Sequence, residues 1–186
     1  MEQQKSARRL KALGAVTVGL VLSMSLVGCG ESEEKQAFRQ NLIDKALNDD
    51  TRKAGEAFLA ANKQRDGVVT LPSGLQYQVL ASAPEQSSSS VQVTMAKGVE
   101  VHYRGETIEG VEFESTLTGE PVRLEVKKLL RGWQQALLKM RPGDHWRLFV
   151  PADLAYGARS PSELIPANSA LVFELELKKV YDISPP

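Results

Sequence analysis

The chain has 186 residues, of which 42% are hydrophobic, so its composition predicts a packed core and excludes general disorder. It carries 23 basic and 23 acidic side chains; the first 28 residues hold four of the basic groups and one of the acidic groups, which leaves 19 basic and 22 acidic for the body. A mildly acidic body offers no basic surface to a phosphate backbone, and nucleic-acid binding is therefore excluded.

The N-terminus has the organisation of a bacterial lipoprotein signal peptide. A basic stretch at 5–11 precedes an uncharged and mostly apolar run at 12–27. At about 16 residues, this run suits the apolar region of a signal peptide better than a membrane-spanning helix. The run ends in Leu26-Val27-Gly28-Cys29, which resembles a lipobox. We therefore predict a signal peptide over 1–28 and lipidation of Cys29, the only cysteine in the chain.

A lipidated and exported chain belongs in the bacterial cell envelope. Acyl chains on Cys29 would hold the protein at a membrane while its folded part stays in water. Gly30 follows the cysteine, whereas an aspartate at that position favours inner-membrane retention in enteric-type bacteria. We therefore predict an outer-membrane anchor with the protein facing the periplasm. The alternative is an uncleaved membrane helix with an incidental cysteine.

A tether and an N-terminal helical segment are predicted over 29–67. Apolar residues recur at helical spacing, first at Phe38, Leu42, Ala46 and Leu47, and then at Ala54, Phe58 and Ala61. The polar stretch at 48–51 between them is rich in residues that cap helices. The pattern therefore predicts either two short helices or one helix with a weak centre, with Gly67 as the stop. The apolar stripe could pack on the following domain, which favours a monomer or a weak dimer.

Beyond residue 67 the sequence predicts a sheet with one helix. The turn signals are Glu109-Gly110 and residues 141–144, and the serine tract at 87–90 predicts an exposed loop. Between 128 and 140 the apolar spacing is helical. Apolar residues alternate with polar ones in five further segments, which indicates strands. Their apolar positions are Leu75, Tyr77 and Val79; Val99, Val101 and Tyr103; Val122, Leu124 and Val126; Trp146, Leu148 and Val150; and Phe173, Leu175 and Leu177. The combination predicts an α+β domain, a curved antiparallel sheet wrapped around one short helix.

Five short motifs resemble a known family. They read VHYRG at 101–105, GVEFEST at 110–116, LLRGW at 129–133, LAYG at 154–157 and ALVFELEL at 170–177. Their order and spacing resemble the FKBP-type peptidyl-prolyl cis-trans isomerases, and in particular the bacterial macrophage infectivity potentiator group. Residues 55–80 also resemble the passage that leads into the isomerase domain of that group. The resemblance implies an FKBP-like half-barrel, and we place this domain at 68–182.

The activity that the resemblance implies needs no nucleophile, metal or cofactor. Rotation about an Xaa-Pro bond faces a barrier of roughly 18–20 kcal/mol, because resonance gives the bond double-bond character. No bond is made or broken, so the catalyst must favour the twisted amide over the planar one. An apolar pocket does part of this, since water stabilises the planar form. We expect no cofactor, and the two histidines have no cysteine or carboxylate cluster that would indicate a metal site.

The resemblance also implies the pocket residues. Trp133 would form the floor on which the prolyl ring rests, Tyr156 would donate its hydroxyl to a substrate carbonyl, and the Leu130 amide would be a second donor. The implied catalytic residues are Tyr103, Phe113, Glu114, Trp133, Tyr156 and Phe173. The implied substrate contacts are Val122, Leu129, Leu130 and Ile165, the last in a loop that closes over the pocket.

Four departures from the family pattern bear on this pocket, and one of them is that Leu129 and Leu130 replace the bulky β-branched residues common before the Gly-Trp pair. Glu114 replaces the usual aspartate and carries its carboxylate one methylene further out. Val122 replaces a wall residue that is aromatic in eukaryotic members, which widens the pocket. Pro161 replaces the loop histidine of some members. Glu114 therefore affects the expected catalytic efficiency and the affinity for macrolides such as rapamycin.

Three functions are compatible with these residues. The first is a prolyl isomerase that accelerates the folding of exported proteins, with unfolded or partly folded chains that contain Xaa-Pro bonds as partners. The second is a proline-binding chaperone or assembly module with little turnover, which Glu114 keeps open. The third, a structural lipoprotein, predicts no preference for proline and fits the motifs least.

Overall fold

The computed structural model describes residues 32, 34–39, 49–84 and 91–183. The predicted signal peptide, Cys29, the serine tract at 87–90 and the apolar positions Leu42, Ala46 and Leu47 lie outside the described residues. Residues 34–39 are helical. Within the part that is described, we find no helix with the length and hydrophobicity needed to cross a membrane.

The first complete helix, α1, spans Asp50–Asn62. Asp49 is its N-cap: the backbone there is extended, with φ −64° and ψ 128°, and the side chain accepts a hydrogen bond from the Thr51 amide at 2.8 Å. A new helix therefore begins in the polar stretch, and the alternative of one continuous helix is wrong at Asp49. The helix ends before the predicted stop at Gly67, which adopts φ 78° in the turn that follows.

Seven strands form one antiparallel sheet. They are β1 (Val68–Thr70), β2 (Gln76–Ala81), β3 (Lys97–Thr107), β4 (Glu112–Ser115), β5 (Val122–Glu125), β6 (His145–Val150) and β7 (Leu171–Asp182). Their order is β1-β2-β6-β7-β3-β4, and β5 also pairs with β3. The predicted α+β class with a curved antiparallel sheet is confirmed. The short edge strand β1 was not predicted, because three residues are too few to show alternation.

The second helix, α2, spans Arg131–Leu137 and turns four residues into the core: Gly132, Trp133, Ala136 and Leu137. It is shorter than the predicted segment at 128–140. A 3-10 turn at Val126–Lys128 precedes it, so Val126 belongs to that turn and not to the end of β5. The core itself lies between α2 and the inner face of the sheet, where Val101, Leu148, Leu171 and Leu175 are fully buried.

Helix α1 packs on the domain through a face that includes Phe58 of the predicted stripe but not Ala54 or Ala61. The buried residues of α1 are Gly55 and Asn62, and Phe58 and Leu59 are half-buried, whereas Ala54 and Ala61 are exposed. The Phe58 ring lies 6.1 Å from that of Phe149 on β6. The side-chain Nδ2 of Asn62 donates a hydrogen bond to Oε1 of Gln76 at 2.8 Å. The prediction used apolar residues only and therefore missed a face built partly from glycine and asparagine.

The outer face of the sheet carries a charged cluster on β7. The Glu174 carboxylate accepts hydrogen bonds from Arg104 and Arg147, at 3.1 and 3.2 Å, and lies 2.9 Å from His145 Nε2. Only 18% of the Glu174 side chain is exposed. Three side chains from the neighbouring strands β3 and β6 therefore cover this carboxylate on the outer face of the sheet.

Candidate active site

Four of the predicted site residues form one aromatic cluster on the inner side of the sheet. The Trp133 ring of α2 lies 5.0 Å from the Tyr103 ring of β3 and 5.2 Å from the Phe173 ring of β7. The Phe113 ring of β4 lies 5.8 Å from that of Phe173. All three pairs meet edge to face, with interplanar angles of 81–88°. This is a favoured arrangement for aromatic rings, and it holds each ring in a defined orientation.

Two glycines make this cluster possible. Gly105 pairs with both Glu114 and Phe173, and a Cβ at Gly105 would lie 2.4 Å from Cε2 of Phe113. A Cβ at Gly132 would lie 2.6 Å from Cγ1 of Val150, so a glycine beside Trp133 brings α2 close to β6. Both glycines belong to the sequence motifs, but their role was not predicted, because it depends on which distant side chain lies above each one.

The surroundings of Trp133 are apolar. Its side chain is only 4% exposed, and its indole Nε1 has no hydrogen-bond partner among the described residues. Buried side-chain donors normally find an acceptor, so the unpaired indole N–H shows that no acceptor among the described residues reaches this nitrogen. A ring held in this way is suited to contact with a nonpolar group such as a pyrrolidine.

Two tyrosine hydroxyls and one carboxylate converge near the cluster. Burial raises the pKa of the Tyr103 phenol well above its usual value, and the Glu114 carboxylate raises it further by hydrogen bonding and by its charge. Burial also raises the pKa of the Tyr156 phenol, and the charge of Glu114 adds to this effect. Both phenols are therefore protonated at neutral pH and act as hydrogen-bond donors.

The segment that leads into α2 is held by a side chain that sequence reasoning missed. Gln134 Nε2 donates to the backbone oxygens of Leu129 and Lys127, at 3.0 and 3.2 Å. Leu129 and Leu130 are half-buried against the core. The backbone N–H of Leu130 has no hydrogen-bond acceptor among the described residues. The amide of a helix N-cap residue is outside the helical ladder, so this donor remains available.

The remaining predicted residues lie around the same core. Ile165 is buried, with 4% of its surface exposed. Its backbone carbonyl accepts a hydrogen bond from the Ser160 hydroxyl at 2.9 Å. Val122 opens β5, pairs with Val101 of β3 and packs against the core. Glu114 differs from the others because it is exposed at the edge of the sheet. Among the described residues, no group of three histidine, cysteine or acidic side chains could hold a metal ion.

The comparisons with known proteins agree with this geometry. Residues 89–178 match the model of the FKBP-type peptidyl-prolyl cis-trans isomerases, and residues 25–79 match the model of the domain amino-terminal to it. A crystal structure of a peptidyl-prolyl cis-trans isomerase from Pseudomonas syringae superposes with a TM-score of 0.64 at 32% identity, over 71% of this chain and 94% of that one. The chain belongs to the family of FKBP-type peptidyl-prolyl cis-trans isomerases. The predicted family is thereby confirmed.

Similar FKBP-type relatives include two bacterial proteins of the predicted group. The outer membrane protein MIP of Legionella longbeachae is 38% identical over 150 residues, which are 77% of this chain and 62% of that protein. The peptidyl-prolyl cis-trans isomerase Mip of Coxiella burnetii is 42% identical over 125 residues, which are 67% of this chain and 52% of that protein. The chain thus spans between about half and two thirds of the length of these relatives.

Proposed function

We propose that the protein is a peptidyl-prolyl cis-trans isomerase that acts on Xaa-Pro bonds of exported proteins. The observation that carries this proposal is the edge-to-face aromatic cluster around Trp133, in a chain of the FKBP family. Trp133, Tyr103, Phe113 and Phe173 would enclose the prolyl ring, with contacts from Val122, Leu129, Leu130 and Ile165.

The proposed catalysis is preferential binding of the twisted amide. An apolar pocket removes water from the planar amide, whose charge separation water stabilises. The Tyr156 hydroxyl and the Leu130 amide would hold the carbonyl oxygen while the bond turns, since the phenol stays protonated and the amide has no acceptor among the described residues. No proton is transferred in this scheme, so the raised pKa of Tyr156 matters only because it keeps the donor in place.

Glu114 would act by orienting Tyr103. Its carboxylate interacts with the Tyr103 hydroxyl, and its charge also reaches Tyr156. The exposed position of this carboxylate also favours the second candidate, a proline-binding chaperone with little turnover. In that case the aromatic cluster would bind proline, but the polar groups would not hold the turning carbonyl.

The test is the cis-trans exchange of a short Xaa-Pro peptide by the full-length chain in detergent, with and without rapamycin. We expect exchange that rapamycin blocks. Tyr156→Phe removes the hydroxyl and keeps the ring, and it should lower kcat/KM by about ten- to a hundredfold. An unchanged rate would exclude the donor role of Tyr156. Peptide binding without exchange in the wild type would favour the chaperone.

We also propose that the chain is an envelope lipoprotein, with a signal peptide over 1–28, a tether and helical segment over 29–67, and the isomerase domain over 68–182. The lipobox-like end of the apolar run at Cys29 supports the anchor. The name of the Legionella relative, an outer membrane protein, supports the location. Cys29→Ser should move the protein from the detergent phase to the aqueous phase on phase separation. Partitioning equal to that of the wild type would exclude lipidation of Cys29.

A further inference from the structure

The loop that follows Tyr156 is connected to helix α1. We define the site loop as residues 157–168; it begins directly after Tyr156, contains Ile165 and ends at Asn168. Its two ends are joined by the backbone N–H of Asn168, which donates a hydrogen bond to the backbone carbonyl of Gly157 at 2.7 Å. The base of the loop is therefore closed by its own backbone, and Asn168 is at the closing point.

Asn168 has an unusual backbone conformation, and both the nitrogen and the oxygen of its side chain are hydrogen-bonded. Its φ of 61° is the only positive value of a non-glycine residue among those described, and 3% of the residue is exposed. Its Nδ2 donates to Asp49 Oδ2 at 3.0 Å, and its Oδ1 accepts from Arg52 Nη2 at 3.3 Å. The residue occupies a left-handed conformation and is held there by two side chains from the beginning of α1.

Helix α1 also contacts the chain just before the site loop. Arg52 Nη2 donates to Asp153 Oδ1 at 2.9 Å, three residues ahead of Tyr156. Beyond the loop, a Cβ on Gly55 would lie 2.9 Å from the Ala170 Cβ, so helix and chain are in direct contact there. The start of α1 therefore holds the chain on both sides of the loop.

We propose that Asn168, through Asp49 and Arg52, is a positioning residue that fixes the site loop over the pocket. This inference rests on the isomerase function proposed above. Asn168 lies three residues after Ile165, and its backbone N–H donates to the carbonyl of Gly157, the residue that follows Tyr156. Its two side-chain hydrogen bonds therefore restrict Gly157, which directly follows Tyr156, and the part of the loop that carries the Ile165 side chain. The rate of the proposed isomerisation depends on the precise placement of these groups.

The Asp49–Asn168 hydrogen bond can be reversed by exchanging the two residue types. Asn168→Asp places two carboxylates against each other. Asp49→Asn keeps its oxygen on the Thr51 amide and therefore places two NH2 groups against each other. The double variant restores one donor and one acceptor, and both residue types tolerate the left-handed conformation. Asp50→Asn is the matched control, because it makes the same change at the adjacent, exposed position.

The experiment uses the full-length chain in detergent at a temperature where every variant is folded. Each single variant should lower kcat/KM for the Xaa-Pro peptide by about three- to tenfold, and the double variant should recover to within about twofold. The Ile165 δ1 methyl group, observed by NMR, should become more mobile in the single variants and regain its wild-type order in the double variant. Asp50→Asn should match the wild type in both measurements.

Two results would overturn the proposal. In the first, the single variants unfold more easily but keep the kcat/KM and the Ile165 methyl order of the wild type, which would show that the contact is purely structural. The other is a double variant no better than the single variants, which would show that the hydrogen bond is not the cause. If the wild type itself gives no exchange, the isomerase function fails, and the Ile165 methyl group alone decides whether Asn168 positions the loop.

Discussion

At the scale of single residues, Glu114 has the widest influence on the candidate site. It is exposed at the edge of the sheet, yet it raises the pKa of Tyr103 and adds to the raised pKa of Tyr156. The family resemblance could identify Glu114 as a departure from the usual aspartate. Its effect on Tyr156 was not predicted, because Tyr156 lies in a distant segment of the chain and approaches Glu114 only in the folded protein.

Glu114→Gln should lower the pKa of Tyr103 and Tyr156 toward the ordinary value of 10, because it removes the negative charge near both phenols. Both pKa values should stay raised, since burial is the largest cause of each shift and is unchanged. The measurement is the ultraviolet absorbance of tyrosinate as the pH rises. Glu114→Asp, with its charge retained, is the control. Identical titration curves for wild type and Glu114→Gln would show that the carboxylate does not act on these hydroxyls.

The two tryptophans give a second residue-scale prediction, because both are buried but only one belongs to the aromatic cluster. Trp133 contacts Tyr103 and Phe173, whereas Trp146 stacks on Tyr77 at 4.4 Å. Replacing either by phenylalanine should cost about 1–3 kcal/mol of unfolding free energy, measured by chemical denaturation. Only Trp133→Phe should also lower kcat/KM. An equal loss of rate in Trp146→Phe would argue against a specific role for Trp133.

At the scale of elements, strand β3 organises the site. It pairs with β4, β5 and β7, and thereby brings Tyr103, Phe113 and Phe173 together. The alternation of apolar residues predicted β3 and β7 correctly, since the period of two comes from the strand itself. The pairing register was not predictable in the same way. This register places Gly105 beneath Phe113, and it depends on contacts between segments that are distant in the chain.

Gly105→Ala should push the Phe113 ring out of the cluster. The new methyl group would lie within 2.6 Å of two ring atoms of Phe113 and 3.0 Å from Cε1 of Phe173. We expect a loss of about 1–3 kcal/mol in unfolding free energy, together with a lower kcat/KM. Gly119→Ala is the control, because nothing lies within 4 Å of its added Cβ. A Gly105→Ala protein with wild-type stability and rate would show that the ring has room to move.

At the scale of the whole molecule, helix α1 packs directly on the sheet, although it precedes the proposed isomerase domain in the chain. The Phe58 ring contacts Phe149, and Asn62 and the Leu59 carbonyl both bond to Gln76 on β2. The first turn of the helix reaches the site loop through Arg52 and Asp49. We therefore expect α1 and the sheet to unfold in one transition.

Phe58→Ala should test this coupling. Loss of a half-buried ring should lower the unfolding free energy of the entire domain by about 2 kcal/mol, since both helix and sheet lose the contact. Phe38→Ala is the control, because Phe38 is 67% exposed and its loss should leave the stability unchanged. The measurement is denaturant unfolding followed by helical circular dichroism and by tryptophan fluorescence. Separate transitions in the wild type would show that α1 folds independently.

The periodic features of this protein, and its family, could be predicted from local sequence patterns. The alternation of the strands, the polar start of α1 at Asp49 and the five motifs depend on residues that lie within a few positions of one another. The motifs also contain the implied pocket residues except Val122 and Ile165, which the family resemblance added, and the roles of all these residues remain predictions. Such local patterns can be read without a structure because strand and helix periods are properties of the backbone.

Only the tertiary structure decided which distant groups meet. Asp49 and Asn168 are 119 positions apart, and nothing near either residue in the sequence indicates the other. The same holds for Gly105 beneath Phe113, and for the face of α1, which the sequence predicted incorrectly because Gly55 and Asn62 carry no apolar signal. The physical reason is that burial and hydrogen bonding depend on the opposite surface, and that surface exists only once the chain has folded.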